Sequence, residues 1–175
     1  MSATNEQLIA MFKRRGYDSN LSFGAFTESN EFVSMTLNGI GYFNGVLSAY
    51  DASTGTAVEF RKQGLASRIF HHMKPALQAR GVQQYILEVL QDNEAAKALY
   101  VKIGFTITRE FNCYRQSIIS IRSTLSAVHR RHKSTHIRDI ELPTFNMLQC
   151  MWDFNPSWQN SYESVQRKFW FSIRW

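Results

Sequence analysis

The stretch between Gly64 and Gly81 restricts the fold more than any other. Leu65, Ile69, Met73 and Leu77 recur every four residues, which puts them on one stripe of a helix over roughly Leu65 to Arg80. Such a stripe needs an apolar surface beneath it. Tyr85 to Leu90 follows at once and is nearly all apolar, as expected of a strand covered on both faces. Helix on sheet is therefore the starting point, with Pro75 expected to kink the helix and Gly81 to end it.

The flanking segments fit that frame. Thr4-Asn5-Glu6-Gln7 reads as a capping box. Leu8, Ile9 and Phe12 give the helix after it an apolar face, and Gly16 stops it. Leu21 to Thr27 and Phe32 to Leu37 read as strands joined by a turn at Glu28-Ser29-Asn30, with Asn38-Gly39 breaking the second. Leu47 to Tyr50 resumes strand character, and Ser53 to Ala57 carries it irregularly toward Arg61. Asp92 or Asn93 caps a further helix, with Ala96, Leu99, Tyr100 and Ile103 inward and Gly104 as its stop. Phe105 to Tyr114 alternates like a last strand. The order predicts an α/β or α+β layered domain with a mixed sheet.

Composition narrows the class. The chain of 175 residues is 44% hydrophobic and 19% charged, enough to bury a core. No apolar run approaches the roughly 20 residues of a membrane span. The basic cluster near the N-terminus follows the apolar residues, the reverse of a signal peptide. Cys113 and Cys150 stand far apart, which suggests free thiols and a reducing cytoplasm. The formal net charge of +6 suits an anionic ligand; Arg130, Arg131 and Lys133 read as a solvated basic loop. His129, His132 and His136 lack an acidic or cysteine partner, so no metal site is expected.

Chemistry concentrates after the strand that leads to Arg61. Arg61-Lys62-Gln63-Gly64-Leu65-Ala66 joins strand to helix. A helix start offers unpaired N–H groups and the positive end of a dipole, so it attracts phosphate. Gly64 and Ala66 leave the backbone bare there, and Arg61 and Lys62 add charge. Glu88 is a carboxylate in an otherwise apolar strand, either at the strand end or functional. Asn93 stands at a helix start, and Tyr100 lies two turns along that helix.

The combination R-x-x-G-x-A, then L-E-V-x-x-x-N, then A-x-x-L-Y-x-K-x-G-F resembles the GNAT superfamily of N-acetyltransferases over about residues 5 to 115. The resemblance implies a mixed, mostly antiparallel sheet flanked by helices. It implies direct transfer of an acetyl group from acetyl-coenzyme A to an amine, with no covalent enzyme intermediate. Thr54, Gly55 and Thr56 match the segment whose backbone N–H groups hold the acetyl carbonyl, an oxyanion-stabilising task. Arg61, Lys62, Gln63, Gly64, Leu65, Ala66 and Ser67 match the pyrophosphate loop, and Asn93 a coenzyme contact. Tyr100 matches the residue that protonates the departing thiolate, a role for which a phenol of ordinary pKa about 10 is suited. Glu88 matches a general-base position. The acceptor is a small-molecule or peptide amine, and Asn38 to Asn44, with Tyr42 and Phe43, is the expected acceptor loop. Neither nucleic acid nor membrane is an expected partner; a homodimer is left open.

The chain departs from that pattern in lacking the strand and helix that precede the segment resembling Thr4 to Arg15. Residues 1–117 are expected to form the acetyl-coenzyme A domain, 118–135 a basic linker, and 136–175 either the start of a second similar domain or a segment that folds back. A strand at His136 to Leu142 and helices at Pro143 to Trp152 and Pro156 to Lys168 fit either arrangement. The competing reading of function is a weak or inactive coenzyme-binding module of a tandem enzyme.

Overall fold

A computed structural model describes residues 4–114 and 156–170. Local signals set the first helix, α1 (Asn5–Arg15). The Thr4 hydroxyl accepts from the Gln7 N–H at 3.3 Å, and the Gln7 side chain accepts from the Thr4 N–H at 3.0 Å. Gly16, at φ 79°, closes the helix in the left-handed region that glycine tolerates best. The apolar face of α1 is only partly used. Phe12 packs into the core, whereas Leu8 and Ile9 are exposed.

Four strands form one sheet in the order β1 (Phe23–Phe26), β2 (Phe32–Phe43), β3 (Val46–Thr56), β4 (Gln84–Ile86). The first two pairings are antiparallel and the third is parallel. This is the mixed, mostly antiparallel α/β arrangement expected. The other long helices are α2 (Leu65–Ala79), α3 (Glu94–Ile103) and α4 (Tyr162–Trp170). Residues 136–152 lie outside the described ones, as do the linker and the three histidines of the basic stretch.

The sheet buries both faces. On one, Ala49 and Leu21 pack with Met73 and Leu77 of α2, the stripe expected for that helix, which stays α-helical through Pro75. On the other, Tyr50 and Ala52 pack with Trp158. Trp158 is 1% exposed, and its ring stacks on Tyr50 with centroids 5.2 Å apart. Its indole N–H donates to the Arg15 carbonyl at 3.0 Å. The segment 156–170 is thus seated against α1 and the sheet, and a ring of this size fully buried contributes roughly 3–5 kcal/mol against truncation to alanine.

Several strand expectations are corrected. Asn38-Gly39 does not break β2; the strand runs through to Phe43, and only its register with β3 shifts there. Asn38 to Phe43 is accordingly strand and not the loop expected there. Asn38 is wholly buried, donates to the Leu21 carbonyl and accepts from the Tyr85 hydroxyl. Gly39 is there for close approach, since a Cβ would collide with the Arg15 carbonyl. β4 stops at Ile86, so Glu88 lies beyond the strand, and Leu90 is exposed. Phe105 to Tyr114 forms no strand among the described residues.

The register shift in β3 has a local effect. Leu37 pairs with Ser53 and Asn38 with Asp51, which leaves Ala52 as an extra residue. Asp51 and Thr54, three apart, therefore face the same side, and the Thr54 hydroxyl donates to Asp51 Oδ2 at 2.7 Å. In a regular strand they would point to opposite faces.

Candidate functional site

β3 continues six residues past its last parallel pair, Tyr50 with Ile86, to Thr56. On the edge that faces β4 no described strand lies beside that stretch, so the sheet opens between the end of β3 and the chain after β4. On the α2 side of the opening is a cavity lined by Thr36, Asp51, Thr54, Ala66, Phe70 and Tyr100, among others. The first turn of α2 and the hydroxyl-bearing helix α3 thus meet at one place.

Tyr100 reaches the cavity because Asn93 and Gly104 frame α3. The Asn93 side chain accepts from the Ala96 N–H at 3.1 Å, and Gly104 takes φ 108°. The Tyr100 hydroxyl donates to Asp51 Oδ2 at 2.9 Å. Burial pushes the Tyr100 phenol well above its usual range, and the Asp51 charge adds to this, so the group is a proton donor throughout the neutral range. Asp51 itself went unnamed in the sequence. Its Oδ1 is buried without a hydrogen-bond partner among the described residues. Burial raises its pKa, while hydrogen bonds from Thr54 and Tyr100 and the charge of Arg15 pull the other way. The signal was available: an acid between Tyr50 and Ala52, two core residues, is as anomalous as Glu88.

A folded-state carboxyl with a raised pKa binds its proton more readily than the unfolded chain does. Stability should therefore fall as pH rises from the unfolded value, about 3.9, through the raised folded one. One such group contributes a slope of at most about 1.4 kcal/mol per pH unit. Asp51→Asn is expected to remove that slope in urea unfolding measured from pH 4 to 7; an unchanged slope would contradict the assignment.

The loop before α2 is shaped as a cradle. Lys62 (φ 62°) and Gly64 (φ 75°) both take left-handed conformations. The first bond inside the helix runs from the Arg68 N–H to the Gly64 carbonyl at 3.0 Å. The N–H groups of Leu65, Ala66 and Ser67 thus have no acceptor within the helix. No side chain caps this end, and its first turn holds no acid. A Cβ at Gly64 would meet nothing within 4 Å. Arg61 Nε donates to the Thr56 carbonyl at 3.1 Å, and Gln63 Nε2 to the Glu59 carbonyl at 3.3 Å, which tie the loop to its surroundings. At Gly55 the carbonyl accepts from the Ser34 hydroxyl at 3.1 Å.

Glu88 sits on the other face of the sheet from Tyr100. Its Oε2 accepts from Gln159 Nε2 at 3.0 Å, and the same nitrogen donates to the Tyr50 hydroxyl at 3.0 Å. Among the described residues no cluster of His, Cys, Asp or Glu is gathered to hold a metal. No helix among them is long and apolar enough to cross a membrane.

Comparison with known proteins agrees with this fold. Residues 6–105 match the family model described as acetyltransferase (GNAT) family. A curated relative, N-alpha-acetyltransferase 30 of Schizosaccharomyces pombe, is 29% identical over 86 residues, which span 43% of this chain and 57% of the relative. The chain thus covers little more than half of that protein's length. Among solved structures, an acetyltransferase of Trypanosoma brucei superposes with a TM-score of 0.51 at 15% identity, covering 66% of this chain and 82% of the other. An aminoglycoside acetyltransferase from an uncultured soil metagenomic sample does so with a TM-score of 0.51 at 13% identity, over 67% and 76%. At these identities the structural likeness is one of fold.

Proposed function

This chain belongs to the acetyltransferase (GNAT) family, and from that premise we propose that it catalyses direct transfer of the acetyl group of acetyl-coenzyme A to an amine. The observation that carries the reading is the shared cavity: Ala66 of the helix start and Tyr100 line one opening with Asp51 and Thr54. The uncapped N-terminus of α2 and the open space at Gly64 fit a diphosphate. The N–H groups of Leu65, Ala66 and Ser67 hold it, with charge from Arg61 and Lys62. The coenzyme, when bound, supplies an activated thioester. Backbone N–H groups near Gly55 and Thr56 face the acetyl carbonyl as charge develops on it. Tyr100 donates its hydroxyl proton to the departing sulfur. Asn93 already spends its side chain on the α3 cap, so its part in coenzyme contact falls to whatever capacity that bond leaves.

Glu88 takes the proton from the incoming amine, directly or through water. The donor machinery and Glu88 occupy opposite faces of the sheet opening, which suits attack on the thioester from the side away from the coenzyme. A lysine amine, of reference pKa about 10.4, is neutral at pH 7 to about one part in a thousand, whereas an α-amine near 8 needs far less help. The curated relative's printed name concerns an α-amine, so a peptide N-terminus is the first acceptor to try.

The test is an amine panel: a peptide with a free N-terminus, the same peptide blocked but carrying lysine, and an amino sugar. Each is incubated with acetyl-coenzyme A and the full chain, with thiol release and product mass as readouts. Acetylated product is expected with at least one, and Glu88→Gln is expected to lower kcat/KM about 10- to 100-fold at pH 7. Tight coenzyme binding without thiol release from any amine would favour the inactive-module reading instead. Cytoplasmic location belongs to the same proposal and rests on the cysteine usage.

A further inference from the structure

Gln159 stands far beyond residues 6–105, the stretch that matches the family, yet its side chain ends beside Glu88. The amide is engaged at both ends. Its Oε1 accepts from Arg15 Nη2 at 3.0 Å, and its Nε2 donates to Glu88 Oε2 and to the Tyr50 hydroxyl, each at 3.0 Å. A guanidinium can only donate and an ionised carboxylate can only accept, so the amide has one orientation here. Trp158, one residue earlier, anchors the segment by stacking on Tyr50 and bonding to the Arg15 carbonyl. Ser164 adds a second tie, its hydroxyl donating to the Trp158 carbonyl. The segment is therefore anchored to β3 and α1 where it meets the carboxylate.

We propose that Gln159 is a positioning residue for Glu88, which shares its face of the sheet, and that from outside the family-matching stretch it holds the carboxylate that receives the acceptor's proton. The inference rests on the role given to Glu88 above. A hydrogen bond donated to a carboxylate distinguishes its two protonation states, so the pair has a readout in the pH profile. The charged and titratable groups around this cluster are Tyr50 and Asp51 on β3 and Arg15 on α1. Burial pushes Tyr50 upward, so it stays neutral, and the nearby positive charge is that of Arg15.

The experiment is the pH dependence of kcat/KM for the native chain, Glu88→Gln, Gln159→Leu and Gln159→Glu, using whichever amine is acetylated. The native acid limb is expected to vanish in Glu88→Gln. It is expected to move to higher pH in Gln159→Leu, which loses the donor at similar size. In Gln159→Glu a second carboxylate faces the first, and the limb should move further, by about one pH unit or more. The KM for acetyl-coenzyme A should stay within about twofold in both Gln159 variants, since coenzyme contacts lie on the other face. A purely structural role would instead lower activity equally at every pH. An acid limb that survives Glu88→Gln overturns the base assignment and this inference with it. A limb lost in Glu88→Gln but unmoved in both Gln159 variants overturns this inference alone.

Discussion

Tyr100→Phe is expected to lower kcat about 10²- to 10³-fold while leaving the coenzyme dissociation constant within about twofold. The change deletes one oxygen and little packing, because the ring's edge-on contact with Phe105, centroids 5.5 Å apart, remains. What goes is the one proton that α3 brings to the cavity. Burial keeps that proton on the phenol at neutral pH, so its loss cannot be compensated by a change of pH. The hydroxyl donates to Asp51. Steady-state thiol release, set beside direct titration of coenzyme, separates kcat from binding. A kcat within twofold of native would remove Tyr100 from the chemistry.

Gly64→Asp should weaken coenzyme binding about 100-fold, or roughly 2.7 kcal/mol. Aspartate tolerates the left-handed region better than most residues. At this position it also caps α2 by accepting from the free N–H groups and meets the positive end of the dipole favourably. Backbone strain and capping then offset each other, and the fold should hold. The carboxylate nevertheless occupies the ground that a diphosphate needs and repels it. Calorimetric titration with coenzyme A reads the loss, and circular dichroism checks that α2 is intact. Native affinity in this variant would show that the cradle is not where phosphate sits.

What could be seen in the sequence was mostly local. The capping box at Thr4, the stripe from Ile69 to Leu77 and the Asn93 and Gly104 ends of α3 are set by neighbours within four residues, and the structure has them all. Strand extents were harder, because long-range packing decides them. Gly39 and Gly41 fall within the expected loop, but they stand in β2, paired with Tyr50 and Ser48 of β3, and at Gly39 the Arg15 carbonyl leaves no room for a side chain. The run from Tyr85 to Leu90 looked like one strand, yet pairing stops at Ile86 where the sheet opens. Of the candidate site, the loop before α2 and Tyr100 are legible as motifs. Asp51 is inconspicuous in the sequence because it falls in the short gap between two strand-like stretches. Gln159 carried no signal at all: its meaning comes from a partner 71 residues away.

The extra residue at Ala52 also bears on how relatives are compared. Upstream of it, odd-numbered positions of β3 such as Ala49 and Asp51 look toward α2; downstream, Thr54 does. Against a strand without the extra residue, an alignment that crosses this point without a gap would assign every later side chain to the wrong half of the molecule. Roles can be carried between such proteins only when residues are counted from the same end of the strand.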